Sequence, residues 1–284
     1  MKNRSVTDVT VARQIIGLML VRNDDRFVGP ALRNVLEFCD KVIVLEHCST
    51  DRTVEILTDI ASSTGGKVEI HRIRDVAESH DFVLPWIGRP IWMLAVDGDE
   101  VYDPSGLVQL RRRIQQGEFD GYWRLYGHVL NVTRLNPKRG LARGHTSPPG
   151  HPMTKLYHLG AIQSWVGAPQ RLHGGTMTLK PEWDLEKGVY AFFHHVEWEE
   201  SPFRCLHMVF VRRSSMQDSF VPRLSPADML HHQVLGVDLW ARAKVWLYRE
   251  WMLLRKKSGK DLAYRKGPLV EKETHPFHLL ESLQ

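Results

Sequence analysis

The sequence predicts an α/β domain built on a mostly parallel sheet flanked by helices, with a helical extension at the C-terminal end. Two observations carry that prediction. Apolar runs alternate with amphipathic stretches through the first hundred residues, and strand, helix, strand, helix, strand in that order implies parallel pairing through right-handed crossovers. Within this alternation, Trp92-Met93-Leu94-Ala95-Val96-Asp97-Gly98-Asp99-Glu100 passes from an apolar run into three carboxylates within four residues. It is short and lies between Gly88-Arg89-Pro90 and Asp103-Pro104, so it reads as a buried strand ending at a polar edge.

The first strand is Ile15 to Val21, which stops at the polar turn Arg22-Asn23-Asp24-Asp25. Gly29-Pro30 then opens a helix, Ala31 to Phe38, with Leu32, Val35 and Leu36 at helical spacing. The second strand, Lys41 to Leu45, runs into Glu46-His47-Cys48-Ser49-Thr50-Asp51. Ser49, Thr50 and Asp51 are good N-cap residues for a helix whose apolar stripe is Val54, Leu57 and Ile60. Gly65-Gly66 ends that helix, and Lys67 to Ile73 is the third strand. After the Asp97 strand, Asp103-Pro104 opens a helix from Ser105 to Gln116, whose Arg111-Arg112-Arg113 run reads as a solvated face. Residues 119–132 read as extended. From Asn136 to Pro152 no period is visible, and the stretch reads as a long loop carrying Arg139, Arg143, His145 and His151. Met153–Ile162 and Gly188–His194 read as strands. Ser201-Pro202 opens a helix to about Met216, and Ser225-Pro226 another that reaches Leu254.

With 284 residues the chain can bury a sizeable core. Hydrophobic content of 43% and charged content of 25% are those of an ordinary globular protein. The three cysteines are odd in number and widely spaced, which gives neither a disulfide framework nor zinc spacing and suits a reducing compartment. Met1 to Gln14 has no apolar segment of a secretory leader, and no apolar run is long enough to span a bilayer. The expectation is a cytoplasmic protein. Nine Lys/Arg against two acidic residues between 242 and 266, interleaved with Trp and Leu, leave open peripheral contact with the inner face of a membrane. A net charge of +5 suits anionic substrates without singling out nucleic acid, and none is expected as a partner.

Asp97 and Asp99 are two residues apart with Gly98 between them, at the end of a strand. Both can turn into one crevice, where two hard oxygen ligands suit Mg²⁺ or Mn²⁺ with a substrate's phosphates completing the shell. In open α/β sheets ligands sit outside the carboxyl ends of strands. Taken alone, the same residues are equally a solvated acidic turn.

Three segments together resemble the family 2 glycosyltransferases, which have the GT-A fold. They are Val21-Arg22-Asn23-Asp24 after the first strand, Glu46-His47-Cys48-Ser49-Thr50-Asp51-Arg52-Thr53 after the second, and Leu94 to Glu100. The bacterial branch that builds lipopolysaccharide core and related surface polysaccharide is the most similar. The resemblance implies that Leu20, Val21 and Arg22 line a nucleobase pocket through backbone and that Glu46 stands where the family's Asp contacts base or ribose. It implies that Asp97 reaches the ribose or the metal, and that Asp99 binds Mn²⁺ or Mg²⁺ directly. Gly167 to Gly174 resembles the family's acceptor segment, but Gly174 stands where a Glu is expected. The general base is therefore sought among His173, Asp184 and Glu197, with Glu182 a further carboxylate. His195, in the pair His194-His195, is the candidate to join Asp99 on the metal, and Arg143 the candidate for the diphosphate. Trp165, Trp183 and Trp198 are candidate sugar platforms.

The reading is a metal-dependent, inverting glycosyltransferase. It moves a sugar from a nucleoside diphosphate donor, UDP favoured, to a hydroxyl on a glycan, a lipid-linked sugar or a small metabolite. The alternatives are a nucleotidyltransferase and a non-catalytic sugar- or nucleotide-binding protein. The expected organisation is a polar segment 1–13, a glycosyltransferase domain 14–200 (donor half 14–130, acceptor half 131–200), and a helical region 201–284.

Overall fold

The computed structural model describes residues 13–149, 155–216 and 263–279. Four parallel strands set its frame: β1 (Gln14–Val21), β2 (Lys41–Glu46), β3 (Val68–Arg72) and β4 (Ile91–Asp97). β1 and β4 are apolar and buried on both faces, as a strand covered on each side must be. They lie side by side with Leu20 opposite Asp97, and β2 pairs the other edge of β1 with Val21 opposite Glu46. Three carboxyl ends therefore meet at one edge of the sheet.

α1 (Val28–Arg33) and α2 (Thr53–Ser62) pack on this frame. α1 starts earlier than the apolar spacing predicts. Asp24 O accepts from the N–H of Phe27 and of Val28 at 2.9 and 2.8 Å, so the turn after β1 itself opens the helix. Past Arg33 the chain tightens to i→i+3 bonds, and Asn34 leaves the pattern to donate from Nδ2 to Tyr102 O and Phe277 O. On α2 the apolar stripe is Leu57 and Ile60, while Val54 is exposed. The short β5 (Glu100–Tyr102) precedes α3 (Pro104–Gln115), whose Asp103 caps Gly106 N–H at 3.0 Å as expected. The arginine run has local partners: Arg111 binds Asp40, and Arg113 binds Glu118.

β6 (Arg124–Tyr126), β7 (His128–Asn136), β8 (Leu141–Ser147), β9 (Lys155–His158), β10 (Ile162–Val166), β11 (Thr176–Leu179), β12 (Val189–Ala191), β13 (Arg204–His207) and β14 (Leu269–Glu273) follow. A seven-stranded sheet has the order β12-β6-β9-β4-β1-β2-β3, mixed but mostly parallel. A five-stranded sheet, β14-β8-β7-β13-β5, and the hairpin β10-β11 complete the described structure.

Two expectations are corrected. The stretch from Asn136 is no long loop, because β8 returns antiparallel on β7. The segment after Ser201 is no helix, because Arg204–His207 pairs parallel with β7 and antiparallel with β5. Phe203, Cys205 and Leu206 are wholly buried there. The five-stranded sheet thus draws strands from the region 201–284. The helix expected from Ser225, the basic stretch 242–262 and His151 lie outside the described residues. No helix among the described residues is long and apolar enough to cross a membrane.

His158 marks how tightly the β4–β9 seam is sealed. Its ring stacks on Trp92 with centroids 5.1 Å apart, and burial pulls its pKa down to about 4. The unfolded chain binds the proton at higher pH than the fold does, so stability is full above about pH 6.5 and falls as the pH drops towards 4. We expect a loss of about 3 kcal/mol across that window, measured by urea unfolding. In His158→Phe that loss should flatten, and an unchanged slope would show that His158 is not the group responsible.

Candidate functional site at the carboxyl edge of the parallel sheet

The turn after β1 and the turn after β4 are locked together at Gly98. A Cβ there would lie 2.5 Å from Asp24 Oδ2 and 2.9 Å from Asp24 Cβ, so only glycine admits the approach. Gly98 N–H also donates to Leu20 O at 3.3 Å, and His47 N–H to Val21 O at 3.0 Å. The backbone acceptors at Leu20 and Val21 thus tie the three strand ends together. Arg22 N–H donates to Asp24 Oδ2 at 3.1 Å. Glu46 is buried at the end of β2. One of its oxygens accepts from Ser49 N–H, and the other lies 3.6 Å from Arg72 Nε.

The two aspartates of the Asp97-Gly98-Asp99 turn have different company. Asp97 accepts a charge-assisted bond from Arg171, whose other terminal nitrogen donates to Val96 O at 2.7 Å. Arg171 is 1% exposed, so its charge is neutralised inside the protein. Asp99 is wholly buried and faces His207: Oδ2 and Nε2 are 3.9 Å apart. His207 Nδ1 lies 3.0 Å from Asn131 Oδ1, and Asn131 Nδ2 donates to Tyr264 O. Asn131 Oδ1 is therefore the acceptor and Nδ1–H the donor, which puts the lone pair of a neutral imidazole on Nε2, towards Asp99.

A carboxylate oxygen and an imidazole lone pair facing one another suit a divalent cation between them. The hydrogen bond from the far ring nitrogen is the usual support of a metal-bound histidine. Among the described residues no third His, Cys, Asp or Glu completes such a group, so further ligands would come from substrate or water. Beside this pair, burial with Asp97 as neighbour pushes the Glu100 carboxyl up to about 8.

A strap after β13 closes over the same edge. Arg213 Nη1 donates to Asp24 Oδ1 at 2.8 Å, and Arg213 Nε lies 4.0 Å from Asp99 Oδ2. Ser214 donates to Asp51 at 2.6 Å, Ser215 binds Asp25, and Arg26 N–H donates to Arg213 O at 3.1 Å.

His173 belongs to this neighbourhood. It touches Lys155, which pairs with Ala95 in register, and the short bridge Gln170–His173 carries Arg171 to Asp97. Gly174 adopts φ +62°, and its carbonyl accepts from Trp165 Nε1 at 2.8 Å. A left-handed turn favours glycine there.

Other candidates are placed elsewhere. His195 is exposed after β12, the far edge strand of the sheet, and its ring stacks on Tyr190 at 4.5 Å. Three strand spacings separate β12 from β4, roughly 14 Å, so His195 does not join Asp99. Asp184 is fully exposed and caps a turn, and the N–H groups of Lys187 and Glu186 hold its carboxyl below the usual range. Glu197 and Glu182 are exposed, and Glu197 follows the same far edge strand. Arg143 lies on β8 with Arg134, Arg139 and Glu271, and His145 bonds Gly267 O through Nδ1. Trp165 and Trp198 are buried, and Trp183 packs edge-on against His158.

No known protein-family model matches this sequence, and no curated protein matches it. Solved structures do match in part. Glucosyl-3-phosphoglycerate synthase from Mycobacterium tuberculosis, in complex with Mn²⁺, UDP-glucose and phosphoglyceric acid, is 17% identical with a TM-score of 0.32. That match covers 42% of this chain and 45% of the synthase. A UDP-glucose pyrophosphorylase complexed with UDP-glucose is 10% identical, covers 51% of this chain and 76% of that one, and scores 0.30. A Bacillus anthracis protein described as a glucose-1-phosphate thymidylyltransferase is 10% identical, covers 52% and 72%, and scores 0.32. The chain spans less than half the length of the synthase it matches. Likeness at this level says nothing of what this chain binds.

Sequence reasoning missed His207, Arg171, Arg213 and Lys155. Arg171 stood inside the quoted acceptor segment, and a lone arginine beside an apolar Leu172 was its only signal. His207 lay in a stretch read as helix, where its facing Asp99 could not be foreseen.

The Arg171–Asp97 pair is testable by stability. Breaking a buried pair from one side leaves an uncompensated charge. Arg171→Met should cost about 3–5 kcal/mol in urea unfolding, and adding Asp97→Asn should restore much of it. A double variant no more stable than the single one would show that the charge pairing is not what matters.

Proposed function

We propose that the chain is a metal-dependent glycosyltransferase that takes a sugar from a nucleoside diphosphate, UDP favoured, and passes it to an acceptor hydroxyl with inversion. The acceptor class is a glycan, a lipid-linked sugar or a small metabolite. The observation that carries this reading is the facing of Asp99 Oδ2 and His207 Nε2 at 3.9 Å, at the carboxyl edge of the parallel sheet. That edge is where open α/β sheets bind ligands.

Asp99 and His207 would hold Mn²⁺ or Mg²⁺. The bound metal would act as a Lewis acid on the departing diphosphate. Arg213, 4.0 Å from Asp99, brings a second positive charge to the same edge, and a guanidinium fork suits phosphate oxygens. Glu46 and the turn from Val21 to Asp24 offer hydrogen-bond acceptors to base and ribose. In this reading Asp97 is a positioning residue that fixes the 170–173 bridge through Arg171. His173, held beside Lys155, takes the proton of the attacking hydroxyl on an imidazole nitrogen. His207 replaces His195 as the imidazole partner of the metal.

The test is a melting-temperature panel of nucleoside diphosphates with and without Mn²⁺, since a ligand that binds only the folded state raises the melting temperature by mass action. UDP should stabilise the protein only with the metal. Asp99→Ala and His207→Asn should weaken that binding by roughly 10–100-fold, and His195→Ala should leave it unchanged. Equal stabilisation without Mn²⁺, or full metal-dependent UDP-sugar hydrolysis in Asp99→Ala, would sink the assignment.

A further inference from the structure

Among the described residues several guanidinium groups make no hydrogen bond or ion pair, and three of these, on Arg134, Arg139 and Arg143, converge. β7 and β8 pair with Arg134 opposite Arg143, and β8 and β14 pair with Arg143 opposite Glu271. Residues directly opposite across strands project to one face, so these three side chains form a row. Arg139 joins them from the short 3₁₀ turn Pro137–Arg139, where its N–H donates to Asn136 Oδ1 at 3.3 Å. Together with Asn136 and Leu141 they enclose a pocket of about 130 Å³.

Two like charges directly opposite each other destabilise a sheet. Here a third is added, and a single carboxylate stands against them. Glu271 makes no ion pair with any of the three. All three arginines are exposed, so water screens part of their repulsion and a bound anion would relieve the rest. Guanidinium forks match the oxygens of phosphate, and two or three forks on one phosphate are the strong form of that contact. The pocket is small, and every residue lining it except Leu141 carries a polar or charged group, which suits a compact anion better than a sugar ring or a peptide side chain.

We propose that this pocket binds a phosphate group, as a site separate from the Asp99–His207 edge. Arg134 stands three residues beyond Asn131, the partner of His207, which places the pocket roughly 10 Å further along β7. The phosphate is either that of a soluble phosphorylated molecule or the headgroup of an anionic lipid. Both present the same oxygens to the same forks.

Two probes on the full chain separate the sources: inorganic phosphate by calorimetric titration, and vesicles of phosphatidylcholine with or without phosphatidic acid by co-sedimentation. Arg134→Ala/Arg143→Ala should weaken binding of the active probe by about tenfold or more, while Glu271→Gln should tighten it. Arg112→Ala/Lys187→Ala, which removes the same charge from other exposed positions, should bind as the parent does. The Mn²⁺-dependent response to UDP should survive in every one of these variants, which also reports that they fold. Phosphate binding that depends on the arginine pair assigns the site to soluble phosphate, and vesicle binding that depends on it assigns the site to lipid. Binding of neither probe, or equal loss in the control variant, would overturn the proposal.

Discussion

One carboxylate holds the carboxyl edge of the sheet together. Asp24 receives Arg22 N–H on one oxygen and Arg213 on the other, and its own N–H donates to Thr53 Oγ1 at 2.9 Å. Its carbonyl opens α1, and its side chain fills the space that Gly98 leaves by having none. The end of β1, the start of α2, the turn after β4 and the strap after β13 therefore share a single anchor. Without it the carboxyl ends of β1, β2 and β4 would still lie in register, but the turn carrying Asp99 and the strap carrying Arg213 would lose a side chain that both of them meet.

The charge arrangement follows from that anchor. The edge gathers Asp24, Asp97, Asp99 and Glu100 into a largely buried space, where unscreened carboxylates repel. Arg171 answers Asp97 and Arg213 answers Asp24. Burial and the neighbouring Asp97 push the Glu100 carboxyl up to about 8, which favours its neutral form. Asp99 faces the His207 imidazole at 3.9 Å and the Arg213 guanidinium at 4.0 Å.

The parallel half of the fold was legible in the sequence because its strands are long apolar runs covered on both faces, a pattern that survives without context. β1, β2, β3 and β4 fall where the runs of Ile, Val and Leu put them. β8 was not legible. Leu141–Ser147 carries Arg, Gly, His and Thr and owes its extended form to β7, with Gly144 so close to Asn131 O that no side chain would fit. β13, at four residues, is too short to show a period, and its Ser-Pro start imitates a helix. The site divides in the same way. Asp97, Asp99 and Glu46 end legible strands, whereas His207 and Arg213 sit on or beyond an illegible one. His195 was expected at the end of a strand facing the cleft, but its strand is three removed from β4, whereas His207 lies beside Asp99.

The bond from Asn34 to Phe277 O spans 243 residues and lies beside the bond from the same amide to Tyr102 O. It sets a timetable for synthesis. A ribosome adds roughly 5–20 residues per second, so Asn34 waits about 10–50 s after its own synthesis for its last acceptor. β8 meets its second neighbour β14 only at the same late moment. From its own synthesis until then, about 6–25 s at the same rate, the outer edge of β8 is an open strand, able to pair with another chain. The finished sheet is thus preceded by a period in which the nascent chain presents an unpaired strand.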